Sequence, residues 1–274
     1  MGALENLKKT FSRILRKAYV ALLRLQAPYF DSNWSFTDVM KNIENENSRY
    51  RYFLWYFKTT ISQELVAHRR FFQQSNRAFG EDAFHAMWEK LLAEFRPMSL
   101  LEIGVYRGQT ISLWNVLSLG RGDFPDIWGV SPLDSRSDLV SEYVDLDYEN
   151  DINESFSCLG LQQPNLFKGL SQDPRTVEFL RERLWDLIYI DGSHDLLDVQ
   201  ADVALAGEIL TPGGILVLDD ASLYSSYRPE SFSFAGHPGP SAVAALLRAG
   251  AEFKEIGTCG HNRVFMKSET KGSV

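Results

Sequence analysis

Two apolar runs in the second half of the chain end in acids. LIYID closes on Asp191 and ILVLDD on Asp219 and Asp220, and His194 follows the first of these by three residues in DGSHD. Carboxylates gathered at one place repel one another and raise their own pKa unless a cation or hydrogen-bond donors compensate. An all-oxygen set of Asp191, Asp219 and Asp220 suits a hard ion such as Mg²⁺, Ca²⁺ or Mn²⁺, with Mg²⁺ first, and suits Zn²⁺ less. The other arrangement open to these residues is that one acid caps a helix while another binds a ligand ammonium. A histidine beside them titrates near neutral pH and can take a proton from an alcohol, more readily when a cation stabilises the alkoxide. Capping a helix is the plainer role for His194.

Such side chains need elements to hold them. Before residue 97 the apolar residues of FTDVMKNIENENSRYRYFLWYFKTTISQELVAHRRFFQ and EDAFHAMWEKLLAEF recur at three- and four-residue spacing, as in amphipathic helices, and no strand is expected there. After Pro97 short apolar runs alternate with helical patterns, the texture of βαβ units around a parallel sheet. Seven candidate strands cover residues 98–104, 126–131, 165–171, 185–192, 213–220, 252–257 and 262–267. Only the short TCGH segment joins the last two, too little for a parallel crossover, so the seventh strand is expected antiparallel to the sixth. The chain divides into a helical N-terminal extension (1–96), an α/β domain (97–268) and a tail (269–274).

Ligands in open α/β sheets bind beyond the carboxyl ends of the strands. The first strand ends in LEIGVYRGQT, where Gly104 and Gly108 let the backbone turn tightly and approach a ligand. A structural glycine turn would read the same way.

LEIGVYRGQT, LIYIDGSH and LTPGGILVLDD, in this order and at these distances, resemble the class I S-adenosylmethionine-dependent O-methyltransferases. The likeness is greatest to the metal-dependent macrolide sugar O-methyltransferases and covers residues 98–267. It implies a Rossmann-like methyltransferase sheet of seven strands, the last antiparallel, with S-adenosylmethionine as cofactor and a divalent cation. It implies that Glu102, Gly104, Tyr106 and Gly108 line the methionine end of the cofactor, with Thr110 beside them, and that Ser171 of GLSQD lies beside the adenine. Asp191 would serve both cofactor and metal, and His194 would be the base. The acceptor would be a hydroxyl of a sugar or glycosylated small molecule. One departure concerns the ribose: Ser131 stands where such folds carry an acid. A serine can still hydrogen-bond a hydroxyl, and Asp134 is the other candidate. A metal-independent methyltransferase, a methyltransferase-like hydroxylase and a non-catalytic cofactor-binding scaffold are the competing readings.

A long loop, SYRPESFSFAGHPGPS, follows the acid pair, and loops of this length often contact substrate. Tyr224, Tyr227, Arg228 and His237 are candidates for that contact. His68 and His85 fall in helical segments and read as packing or surface residues, as does His261 in the hairpin turn. Trp34, Tyr52, Trp55 and Phe57 read chiefly as core or interface residues.

The bulk numbers bound the rest. A net charge of −8, from 28 basic and 36 acidic residues, argues against general nucleic-acid binding. Two cysteines, Cys158 and Cys259, make no disulfide framework, and a cytoplasmic setting is expected. No apolar run approaches the roughly 18 residues that span a bilayer. Residues 7–24 form a basic amphipathic helix with Lys8, Lys9, Arg13, Arg16, Lys17 and Arg24. Its two expected settings are packing on this protein, or on a second subunit in a homo-oligomer, and peripheral contact with an anionic membrane surface.

Overall fold

A computed structural model of the chain describes residues 29–75, 77–133, 146–230 and 232–269. The basic helix expected at 7–24, Asp134 and the tail beyond 269 lie outside the described residues.

Four helices come first: α1 (Phe36–Asn42), α2 (Glu46–Thr59), α3 (Gln63–Gln74) and α4 (Asp82–Phe95). The first three start where a side chain can accept from the open first turn. Ser35 makes a reciprocal capping box with Asp38, Asn45 accepts from Ser48 N and Ser62 from Leu65 N. α4 stops at Arg96, which takes a left-handed conformation at φ 45°.

The sheet follows, with β1 (Ser99–Ile103), α5 (Gln109–Arg121), β2 (Asp126–Ser131), α6 (Tyr148–Cys158), β3 (Asn165–Lys168), α7 (Pro174–Arg181), β4 (Trp185–Ile190), α8 (Leu196–Ile209), β5 (Leu210–Leu218), α9 (Pro238–Ala249), β6 (Phe253–Cys259) and β7 (Asn262–Lys267). The seven strands lie in the order β3-β2-β1-β4-β5-β7-β6. β7 is antiparallel to both neighbours, β5 and β6, as the short last connection requires. The turn is tighter than expected, because β6 runs on through Cys259 and only Gly260 and His261 separate it from Asn262. β3 is shorter than expected, ending at Lys168, and β5 begins earlier, where Leu210 pairs with Trp185 ahead of a register shift.

Alternation along the strands makes two cores. Leu100, Leu187, Tyr189, Ile215 and Val217 face Phe36, Phe53, Met87, Trp88 and Trp114 of the helices on one side. Leu101, Ile103, Ile188, Ile190, Leu216 and Leu218 face Leu180, Val199, Val203 and Val243 on the other. The N-terminal helices thus share a continuous core with the sheet. Tyr52 and Phe57 are buried in it, and Trp34 and Trp55 pack against it half-buried. His68 and His85 are buried and joined to each other at 3.0 Å, with Ser112 of α5 bonded to His68 at 3.0 Å. No helix of the described residues is long and apolar enough to cross a membrane.

Candidate active site

The chain runs from β1 outward through β2 and β3, then returns to β4 on the opposite side of β1. The carboxyl ends of β1 and β4 therefore flank the switch point where such sheets hold ligands. There the backbones almost touch. Asp191 N donates to Ile103 O at 2.8 Å, and Gly104 N to Val130 O at 2.9 Å. Gly104 sits at φ +99°, and a Cβ on it would lie 2.2 Å from Asp191 O. Only glycine fits that position. Gly108, at φ +85°, opens α5 without a side-chain cap.

Glu102, on β1, is 3% exposed. Thr110 and the Ile111 backbone bond to its carboxylate, yet Oε2 has no partner. Burial pushes this carboxyl up to about 8. A buried acceptor short of a donor is costly in isolation and is well suited to a ligand cation. Tyr106 packs edge-on against Tyr148 at 4.9 Å, beside Phe79. Ser131 is buried at the end of β2, where its Oγ accepts from Leu133 N at 3.3 Å and keeps its own proton to donate. Ser171, after β3, lies close enough to Asp202 of α8 to offset part of the burial that raises that carboxyl.

The acids and histidines gather next to this cradle. Asp219 N donates to Ile190 O at 3.0 Å, which ties the end of β5 to the end of β4. Asp220 takes a left-handed φ of 53°, and the loop after it returns so that His237 N donates to Asp220 O at 2.8 Å. Gly236 permits this return, since a Cβ there would lie 2.0 Å from Asp220 O. His194 Nε2 is 2.8 Å from Asp220 Oδ2, and His237 Nε2 is 3.7 Å from the same oxygen. The two rings stack at 3.9 Å, and His194 Nδ1 is buried without a hydrogen-bond partner.

Three carboxylates do approach this rim, but they do not converge as one set. Ligand-capable atoms of Asp219, Asp220 and His261 cluster together, as do those of His194, Asp220 and His237. Asp191 belongs to neither cluster: it accepts from Tyr189 Oη at 3.1 Å and bonds to Asp219. Burial, then the charges of Asp219 and Asp220, hold its carboxyl well above the usual range. Asp220 has the opposite outcome: burial raises it, but hydrogen bonds and charge from His194 and His261 prevail and hold it low.

His261 is the residue that motif reading passes over. It is 5% exposed, with Nδ1 3.0 Å from Asp219 Oδ1 and 2.9 Å from Asp220 Oδ1. Its hydrogen bond goes to Asp219, so Asp220 Oδ1 has none despite the short approach. Burial alone would lower its pKa, but the two aspartates raise it to about 10. The signal lay in the topology. A strand antiparallel to β5 begins where β5 ends, so the turn that feeds β7 must lie beside Asp219.

One of the loop residues is placed elsewhere than expected. Tyr227 is 1% exposed, tilted against Tyr50 at 5.9 Å, with its hydroxyl 3.3 Å from Ser233 Oγ, and is a core residue. Arg228 is exposed; its Nη1 donates to the carbonyls of Ser225 and Tyr227, and its backbone N–H donates to Asn47 Oδ1 at 2.9 Å. Tyr224 is exposed, and His237 stands at the rim.

Residues 101–221 match the model of a family described as a methyltransferase domain. No curated protein matches the chain. Among solved structures, a candidate caffeoyl-CoA O-methyltransferase from Staphylococcus aureus superposes with a TM-score of 0.57 at 11% identity, over 81% of this chain and 99% of that one. An SAH-bound methyltransferase of Podospora anserina gives 0.56 at 15% identity, over 82% and 96%. The O-methyltransferase TomG from Streptomyces achromogenes, solved with SAM, gives 0.53 at 14% identity, over 81% and 99%. The chain has the Rossmann-like fold of the methyltransferases, and the matched methyltransferase domain runs from β1 to the residue after Asp220.

Proposed function

We propose that the protein is an S-adenosylmethionine-dependent O-methyltransferase acting on a hydroxyl of a sugar or glycosylated small molecule. The observation that carries this reading is Glu102: a buried carboxylate with an unpartnered oxygen, beside a glycine cradle at the switch point. That pairing suits the ammonium and backbone-like end of an amino-acid cofactor. When bound, S-adenosylmethionine supplies an electrophilic methyl group.

The chain's own residues supply the proton chemistry. With the Nε2 proton given to Asp220, His194 Nδ1 keeps a lone pair that can accept the proton of an acceptor hydroxyl. Asp220 holds the ring in that tautomer and stabilises the imidazolium that forms. Tyr224, Phe232 and Phe234, all exposed on the following loop, offer apolar faces to the C–H surface of a sugar, with His237 beside them.

The donor chemistry also fits a divalent cation at Asp219 and Asp220, with Asp191 adjoining and Mg²⁺ as the first candidate. Such an ion would polarise an acceptor hydroxyl. Nitrogen donors within the two clusters widen the choice to borderline ions such as Fe²⁺ or Co²⁺. A metal-independent variant is favoured by one observation: imidazoles already stand within 3.0 Å of oxygens on both aspartates.

The test is release of S-adenosylhomocysteine from S-adenosylmethionine in the presence of sugar diols, with Mg²⁺ or with EDTA. Acceptor-dependent release supports the reading, and suppression by EDTA adds the cation. A rate unchanged by EDTA leaves the Asp220–His194 pair acting alone. Failure to bind S-adenosylmethionine at all would overturn the proposal.

A further inference from the structure

The helices that precede the matched domain reach its glycine cradle from behind. His68 of α3, His85 of α4 and Ser112 of α5 are all buried, and their polar atoms form one chain. His85 Nε2 lies 3.0 Å from His68 Nδ1, and His68 Nε2 lies 3.0 Å from Ser112 Oγ. Oγ is in turn 2.7 Å from Gly108 O and 3.0 Å from Gln109 O. Burial keeps both rings neutral at neutral pH, so His68 has one N–H and one lone pair and can donate to one neighbour while accepting from the other. Ser112 belongs to the turn that builds the cradle. Gly108 opens α5 without a side-chain cap, so that turn lacks the usual local anchor. Thr110 and the Ile111 backbone, in the same turn, draw the Glu102 carboxyl down against its burial. A second contact comes from Gly80, between α3 and α4, where a Cβ would lie 2.4 Å from Gln109 Oε1.

We propose that His68 is a positioning residue for the cofactor site, holding the Gly108–Ser112 turn through Ser112 so that Gly108 and Glu102 stand where the methionine end of the cofactor meets them. The proposal rests on the S-adenosylmethionine reading. His68 is buried in the core and acts only through its neighbours. An apolar side chain of similar size would fill its space but leave His85 Nε2 without this partner and Ser112 Oγ with one fewer, and buried polar networks tolerate such gaps poorly. The turn would then be fixed only by its own carbonyl contacts and by Gly80. A histidine that served the core alone would change the melting temperature and leave the ligand affinity of the folded protein where it was.

The experiment is calorimetric titration of the full chain with S-adenosylhomocysteine, using wild type, His68→Leu, Ser112→Ala, the double variant and His68→Gln, with melting curves to confirm folding. His68→Leu and Ser112→Ala should each weaken binding by about fivefold, the scale of one hydrogen bond. The double variant should bind no more weakly than the weaker single one, because both changes break the same contact. His68→Gln, whose neutral amide again offers a donor and an acceptor, should recover most of the affinity. Should His68→Leu not fold, Ser112→Ala, which removes one oxygen, decides alone. Wild-type affinity in either folded single variant, or additive losses in the double variant, would overturn the proposal. Failure of the wild type to bind would instead bring down the cofactor reading on which it stands.

Discussion

His194 Nε2 lies 2.8 Å from Asp220 Oδ2, so a histidine from the loop after β4 is oriented by an aspartate from the end of β5. This is the base-and-orienter relationship that activates alcohols elsewhere. His194→Ala should lower turnover by roughly 10²- to 10⁴-fold while leaving the affinity for S-adenosylhomocysteine unchanged. Asp220→Asn should lower turnover in the same direction, since an amide no longer stabilises an imidazolium. Steady-state rates beside calorimetric affinities check both, and undiminished turnover in His194→Ala would remove the assigned base.

The cofactor end makes a proton-linked prediction. Burial holds the Glu102 carboxyl near 8, so it is largely protonated in the free protein at neutral pH. A ligand ammonium against Oε2 would draw that value down, and binding would then release a proton. Affinity should rise as pH increases from about 6 to 8 and level off above about 8, where the free protein gives up the proton unaided. Titrations in buffers of different ionisation heat should show release of up to about one proton per ligand at neutral pH. Proton uptake would contradict the assignment.

The buried histidines differ in sign. Asp219 and Asp220 hold His261 near 10 in spite of burial, above the ordinary value of about 6.5. Its contribution to stability is therefore complete below about 6.5 and is lost as pH climbs towards 10. Burial holds His68 near 3, so its contribution is present above about 6.5 and is lost as pH falls towards 3. Long-range ¹⁵N correlation spectra at neutral pH should show two protonated nitrogens for His261 and one each for His68 and His85. A neutral His261 would contradict this electrostatic picture.

Helix α2 anchors the loop proposed to line the acceptor side. Asn47 Oδ1 accepts from Arg228 N at 2.9 Å and its amide donates back to Arg228 O, while Arg51 pairs with Glu230 at 2.9 Å. These contacts are partly exposed and contribute only about 1 kcal/mol or less each. Asn47→Ala with Arg51→Ala should therefore raise the acceptor KM several-fold and barely move the melting temperature or the cofactor affinity. An altered cofactor affinity with an unchanged acceptor KM would place the anchor's influence elsewhere.

Much of this architecture is legible in residue order because it depends on local rules. Strand ends at Gly104, Asp191 and Asp219, and the antiparallel last strand, follow from apolar run length and the brevity of the final turn. What escapes is the result of long-range closure. His261 reaches Asp219 only because β7 lies beside β5, and Tyr227 is withdrawn from the rim because Tyr50 of α2 packs on it. Likewise three acids at neighbouring strand ends suggest one cluster, whereas the structure splits them. Asp191 accepts from Tyr189 Oη at 3.1 Å, and Asp220 lies 2.8 Å from His194 Nε2.

The most direct measurement is calorimetric titration of wild type and Glu102→Gln with S-adenosylhomocysteine. The predicted result is single-site binding to wild type, weakened by about tenfold or more in Glu102→Gln, which keeps the shape but loses the charge that meets the ligand ammonium. Absence of binding to wild type, or equal affinity in the two proteins, would contradict the assignment of the β1–β4 crevice as a cofactor site.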